Sequence, residues 1–215
     1  NDKPILIVAG EPYSIFSEIF FKSLKKFNNK KKIILIASKD LINQQMKKLN
    51  YNYSFNDIDE KKINFKKLKN KKINIINVNF RFEKPFNKIT NKSNYYIEEC
   101  FEIALRLLKK NKSLGFINGP ISKKNFLNRS FLGITEFLAH KTKTKNVSML
   151  IYNKNLSVSP ITTHIPLKEV HNYLSIDKIV KQVKLIKNFY KKKFNKNPKI
   201  AITGLDQVFF ALALY

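Results

Sequence analysis

Residues 4–12 read Pro-Ile-Leu-Ile-Val-Ala-Gly-Glu-Pro, and residues 32–38 read Lys-Ile-Ile-Leu-Ile-Ala-Ser. Each is an unbroken apolar run too short for a helix, and the first is stopped by a Gly-Glu-Pro turn. Strands that alternate apolar and polar residues face water on one side, whereas continuous runs are covered on both faces, as in a parallel sheet. Working outward, the same reading predicts strands at Lys72–Val78, Leu114–Asn118, Val147–Tyr152 and Lys199–Thr203. Amphipathic stretches lie between them. Ser175–Phe194 places Ile176, Ile179, Val180, Val183, Ile186 and Phe189 on one stripe, with Asp177 in the first turn where a negative charge suits the helix dipole. Ile97, Cys100, Phe101, Ala104 and Leu108 draw a second stripe ahead of the strand at Leu114. Runs alternating with stripes predict an α/β protein with a largely parallel sheet. The polar segments Asn50–Asn70 and Arg81–Lys92 read as surface connections.

A chain of 215 residues with 43% hydrophobic content can bury a core, which sets aside disordered and fibrous classes. No apolar run approaches the roughly 20 residues of a bilayer span, and Asn1–Gly10 reads as a strand and not as a signal peptide. A soluble, intracellular protein is expected. Cys100 is the single cysteine, so no disulfide framework or thiolate metal site can form from the chain, and it reads as core filling.

The formal net charge of +27 suggests a phosphate backbone as partner, but its distribution argues against one. Only Arg81, Arg106 and Arg129 are arginine among 42 basic residues, whereas base and phosphate recognition favours the bidentate guanidinium. The lysines are spread along the whole chain beside 26 asparagines, as on solvated faces. Neither a membrane nor a specific nucleic acid is expected as a partner. Lys and Asn together fill 65 of 215 positions, yet Asp206–Tyr215 contains neither, which marks 206–215 as an atypical tail or an apolar terminal strand.

Chemistry is expected where glycine appears in so glycine-poor a chain. Four of its five glycines stand beside other special residues, in Gly10-Glu11-Pro12, Gly119-Pro120, Gly133-Ile134-Thr135 and Gly204-Leu205, most of them just after a strand. Glycine there signals unusual backbone geometry or close approach, and loops at the carboxyl ends of parallel strands bind ligands in α/β proteins. No Gly-x-Gly-x-x-Gly or Gly-Lys-Ser/Thr phosphate loop occurs. Ile161-Thr162-Thr163-His164-Ile165-Pro166-Leu167 ends a strand with two hydroxyls and an imidazole before a proline, a rigid exit suited to a metal ligand or general base. A packed structural histidine is the alternative. His140 and His171 fall on helical stretches and read as surface or packing residues.

Taken in order, Gly10-Glu11-Pro12, Asn118-Gly119-Pro120-Ile121-Ser122-Lys123, Gly133-Ile134-Thr135-Glu136-Phe137, Thr162-Thr163-His164-Ile165-Pro166-Leu167 and Thr203-Gly204-Leu205 resemble the 4-hydroxythreonine-4-phosphate dehydrogenase family over nearly the whole chain. The resemblance implies a three-layer α/β fold of the isocitrate and isopropylmalate dehydrogenase type. Residues 1–205 would form a partial unit, open to division into two interleaved subdomains. It further implies a cytoplasmic homodimer that oxidises 4-phosphooxy-threonine with NAD, or NADP as the alternative, and then decarboxylates it. A divalent ion (Zn, Mg or Co) held by three histidines would bind the substrate's hydroxyl and amine. By motif, His164 is the first metal ligand, Thr135 a substrate contact and Lys123 a cation near the substrate's negative groups.

Three departures from the family pattern matter. Ile134 stands where the family has His before the Thr. Ser14, Phe16 and Ser17 replace the later glycines and proline of the first loop. Asp206-Gln207-Val208 follows Gly204-Leu205 where the family has Asn-Pro-His, the second metal ligand. The 215 residues alone are therefore expected to be inactive and to expose apolar surface. Other readings are a dehydrogenase of threonate or erythronate phosphate, a non-enzymatic basic nucleic-acid-binding protein, and an inactive remnant.

Overall fold

The computed structural model describes residues 3–26, 31–128, 130–163, 165–203 and 211–214. The chain divides into two compact units, Asn1–Ser130 and Phe131–Tyr215.

The first unit is built on five parallel strands: β1 (Ile5–Val8), β2 (Ile33–Ala37), β3 (Phe55–Asp57), β4 (Ile73–Asn77) and β5 (Gly115–Asn118). They lie in the order β3-β4-β2-β1-β5, and every pairing is parallel. Helices α1 (Phe16–Lys26), α2 (Lys39–Lys48) and α3 (Asn94–Lys109) supply the crossovers that parallel pairing requires. Alternation along the strands gives each face its own set of side chains. On one face Ala9, Leu35, Ala37, Ile73 and Ile75 pack with Phe16, Phe20 and Phe21 of α1 and with Ile42 and Met46 of α2. Leu6, Val8, Ile34 and Ile36 point the other way, to the side on which α3 meets β1 and β2. Phe21 is fully buried, and Tyr51 and Tyr53 stack on its ring.

Four strands follow the sequence reading and the three helices fall between strands as expected; helix α3 buries Ile97, Cys100, Phe101 and Ala104 of its expected stripe, while Leu108 is only half-buried. The Cys100 thiol is core filling, and burial pushes its pKa well up, away from the reactive thiolate. Two details differ. Asn50–Asn70 is not only a connection: it contains β3, whose short Phe-Asn-Asp run at the sheet edge carries no apolar signal of its own. Strand β5 is an edge strand with Ile117 largely exposed, so its apolar run does not mean burial on both faces.

The second unit holds helix α4 (Ile134–Thr142), strand β6 (Ser157–Pro160), helix α5 (Ile176–Phe194), strand β7 (Ile200–Ile202) and strand β8 (Ala211–Leu214). Its sheet is antiparallel in the order β6-β8-β7, so the parallel arrangement expected from the apolar runs belongs to the first unit. Val147–Tyr152 is not a strand. Only Ile151 exchanges backbone hydrogen bonds with Val158, at 2.8 and 2.9 Å, while Ser148 and the Met149 carbonyl are tied to the Ser159 hydroxyl. Helix α5 starts where expected, with the Ser175 hydroxyl accepting from the Lys178 N–H at 3.2 Å. Its stripe, however, is turned: Ile176 is 81% exposed, and the two buried residues are Gln182 and Ile186. Among the described residues no helix is long and apolar enough to cross a membrane.

Candidate functional site

At the carboxyl edge of the first sheet the chain runs from β1 to β2 on one side and later returns to β5 on the other, so β1 and β5 meet at a topological switch point. Their exit loops carry Gly10-Glu11-Pro12 and Gly119-Pro120. The two loops are bonded to each other: the Glu11 N–H donates to the Pro120 carbonyl at 2.8 Å, and the Gly119 N–H to the Val8 carbonyl at 2.7 Å. Gly10 has φ +74°, and a Cβ there would run into the Pro120 carbonyl oxygen. A Cβ at Gly119 would strike the Ala9 carbonyl and the Phe16 ring. Both glycines thus serve close approach, and the partner is the neighbouring loop of the same unit.

Ser14, one of the residues that depart from the family pattern, has a local task. Its hydroxyl donates to the Glu11 carbonyl at 2.7 Å and accepts from the Phe16 N–H at 3.2 Å, closing the turn that starts α1. The Glu11 side chain is 1% exposed. Its Oε1 accepts from the Ser93 hydroxyl at 2.8 Å, and Oε2 has no partner among the described residues. Desolvation raises the carboxyl's pKa above its ordinary value, against the smaller opposing effect of the Ser93 hydrogen bond. Lys123 follows on the turn beyond Pro120 and is exposed; Ser122 caps that turn by accepting from the Asn125 N–H at 3.1 Å.

The second unit contains a cleft of about 290 Å³ that brings together two sequence motifs lying 27 residues apart. Thr135 and Glu136 enter it from the first turn of α4. Thr162 and Thr163 enter it from the exit of β6, and Lys178 and Gln182 from α5. Leu132, Met149 and Ile161 give it apolar walls. Three threonine hydroxyls, a carboxylate and an ammonium around a small cleft can hydrogen-bond and charge-match a polar, anionic small molecule. Thr135 is therefore placed in a cleft with the Thr162–Thr163 motif. Ile134, at the first position of α4, is absent from the lining. His164 lies outside the described residues. Among the described residues no group of three or more His, Cys, Asp or Glu is placed to hold a metal ion. These residues do not by themselves compose a metal site.

His140 lies exposed on α4 against the Phe131 ring, and His171 lies exposed on a 3₁₀ turn, Leu167–Tyr173, as surface or packing residues would. Sequence reasoning did not single out Glu136, Lys178 or Gln182. Only Gln182 left a signal, as a polar residue in the middle of the apolar stripe between Ile179 and Ile186.

Comparison with known proteins gives one consistent result. Residues 29–207 match the family model described as pyridoxal phosphate biosynthetic protein PdxA. A 4-hydroxythreonine-4-phosphate dehydrogenase from Sulfurihydrogenibium sp. (strain YO3AOP1) is 31% identical over 212 residues, covering 94% of this chain and 62% of that protein. The enzyme of the same name from Aquifex aeolicus is 28% identical, with 95% and 63% covered. A crystal structure of 4-hydroxythreonine-4-phosphate dehydrogenase from Klebsiella pneumoniae shares the fold at a TM-score of 0.81 and 22% identity, over 95% of this chain and 64% of that one. The chain thus spans a little under two thirds of the length of the curated relatives it matches.

Proposed function

This chain belongs to the PdxA family of pyridoxal phosphate biosynthetic proteins, and from that premise we propose that it forms part of a dehydrogenase acting on 4-phosphooxy-L-threonine in vitamin B6 synthesis. The overall reaction is oxidation of the substrate's hydroxyl by NAD, with NADP as the alternative, and loss of CO₂ to give 3-amino-2-oxopropyl phosphate. A divalent ion (Zn, Mg or Co), with His164 as its first protein ligand, would lower the pKa of that hydroxyl when bound. On this reading the protein works as a homodimer in the cytoplasm.

The observation that carries the proposal is the convergence of Thr135 with Thr162 and Thr163 on one cleft that also contains Lys178 and Glu136. The Thr135 hydroxyl, held on the first turn of α4, donates to or accepts from the substrate and fixes its orientation. The Lys178 ammonium offsets the negative charge of a phosphate or carboxylate, and the Glu136 carboxylate accepts from an N–H of the substrate's amine. Lys123 is proposed as a further cation for the substrate's negative groups.

The test is NADH formation by the purified full-length gene product given 4-phosphooxy-L-threonine, NAD and each divalent ion in turn. Absence of NADH under all of these conditions would sink the proposal. Thr135→Val, which keeps the shape and removes the hydroxyl, is expected to lower kcat/KM about 10- to 100-fold, the cost of a hydrogen bond to a charged group. The 215 residues alone contribute His164 of the three imidazoles that the resemblance implies, and by themselves are expected to make no NADH.

Ile134 supports a second reading. Where the family has His, Ile134 offers no side-chain hydrogen bond and stands outside the cleft lining, and on this reading the substrate is threonate or erythronate phosphate. A higher kcat/KM for either of these than for 4-phosphooxy-L-threonine would replace the first reading with the second.

A further inference from the structure

Strand β6 is unusual in what it turns inward. Ser157 and Ser159, two residues apart and so on one face, are 1% and 0% exposed, where the buried face of a strand would ordinarily carry Val or Ile. Burying a hydroxyl is costly unless it is hydrogen-bonded, and here both are. The Ser159 hydroxyl donates to the Met149 carbonyl at 2.6 Å, lies 2.9 Å from the Ser148 hydroxyl, and accepts from Gln182 Nε2 at 2.9 Å. The Ser157 hydroxyl donates to the Asn153 carbonyl at 3.0 Å and accepts from the Tyr190 hydroxyl at 3.0 Å. Helix α5 therefore grips β6 twice, through Gln182 at the end that leads into the cleft and through Tyr190 at the far end.

The two grips differ in one respect. The second N–H of the Gln182 amide donates to the carbonyl of Pro160 at 2.9 Å, the last residue of the strand before Ile161, Thr162 and Thr163. Pro160 has no N–H to donate, so it is through its carbonyl that Gln182 holds the strand end. Gln182 itself lines the cleft beside Thr162 and Thr163 and is 91% buried, so its amide is held by packing while it holds the strand end.

We propose that Gln182 is the positioning residue for the Thr162–Thr163 wall of the cleft: its amide sets where these hydroxyls stand relative to Thr135. The proposal deepens the dehydrogenase reading and rests on it for its kinetic consequence. Its structural consequence is independent of that reading.

The experiment compares Gln182→Leu, which keeps a side chain of similar size and removes both donors, with Tyr190→Phe, which removes only the far grip. Crystal structures of the substrate-free full-length protein and the two variants give the positions of Thr162 and Thr163 relative to Thr135, and kcat and KM are measured alongside. In Gln182→Leu the two threonines are expected to move by about 1 Å, and kcat/KM to fall about tenfold. In Tyr190→Phe they are expected to stay in place, with kcat/KM within about twofold of the wild type, whatever the two variants do to the melting temperature. Should Gln182→Leu fail to fold, Gln182→Asn, whose amide is one methylene short of Pro160, decides the question in the same way. Unchanged positions of Thr162 and Thr163, or equal displacements in the two variants, would overturn the positioning role and leave a clamp that merely stabilises the unit. A wild type without dehydrogenase activity would defeat the functional reading alone, since the structural comparison still decides for or against Gln182.

Discussion

In the first unit the strands turn Leu6, Val8, Ile34, Leu35, Ile36 and Ile75 inward, whereas in the second β6 turns Ser157 and Ser159 inward and meets Gln182. The first unit fills its interior with aromatic rings and branched aliphatics on both faces of a parallel sheet. Among the described residues the second buries only Phe137, Ile161, Val170 and Ile186 as large apolar side chains. Apolar packing is strong and non-directional, so it supports a sheet without dictating any one hydrogen-bonding direction. A satisfied polar network contributes less to stability, but it works at only one geometry. The difference teaches how labour is divided: the first unit's elements are held by burial, and the second unit's cleft is held by directed bonds.

Core truncations put the largest load on this comparison. Phe21→Ala should cost about 3–5 kcal/mol of stability in urea denaturation, because the ring is fully buried among Tyr51, Tyr53 and Phe20. Ile186→Ala should cost about 2 kcal/mol, the low end for such a change, since its neighbours Leu150, Val183 and Tyr190 are only partly buried and can close over the gap. Equal losses at the two positions would break the contrast between a deep core and a shallow one.

Polar substitutions sharpen it at smaller amplitude. Ser159→Ala leaves one Gln182 donor and the Ser148 hydroxyl short of a partner, and should cost about 1–2 kcal/mol in the same measurement. An effect below about 0.3 kcal/mol would mean that the network adapts freely and specifies nothing.

The smallest effect is a pH dependence in the first unit. The raised pKa of Glu11 means that the folded state holds a proton between the ordinary value of 4.5 and the raised one while the unfolded chain has lost it. Stability from this site is therefore full below pH 4.5 and falls as pH rises through that window. Glu11→Gln, uncharged throughout, should flatten this part of the profile when denaturation midpoints are compared from pH 4 to pH 8. An unchanged slope would assign the pH dependence to other groups.

The amino-acid sequence by itself determined β1, β2, β4 and β5, that helices lie between them, the extent of α5 and the family, and it marked Gly10, Gly119, Thr135 and Thr162–Thr163 as special. These are local signals: a continuous apolar run, a 3.6-residue stripe, or a glycine where few others occur can each be read within a dozen residues. Tertiary structure alone decided that the close approach at Gly10 is to Pro120, that Val147–Tyr152 meets β6 only through Ile151, and that Phe55–Asp57 joins a sheet. It alone turned the stripe of α5 so that Gln182 faces Ser159, 23 residues away. An edge strand, a loop-to-loop contact and a polar clamp each depend on a partner distant in sequence. Whether a serine is exposed or buried with a donor aimed at it is a property of the pair and appears in neither segment alone.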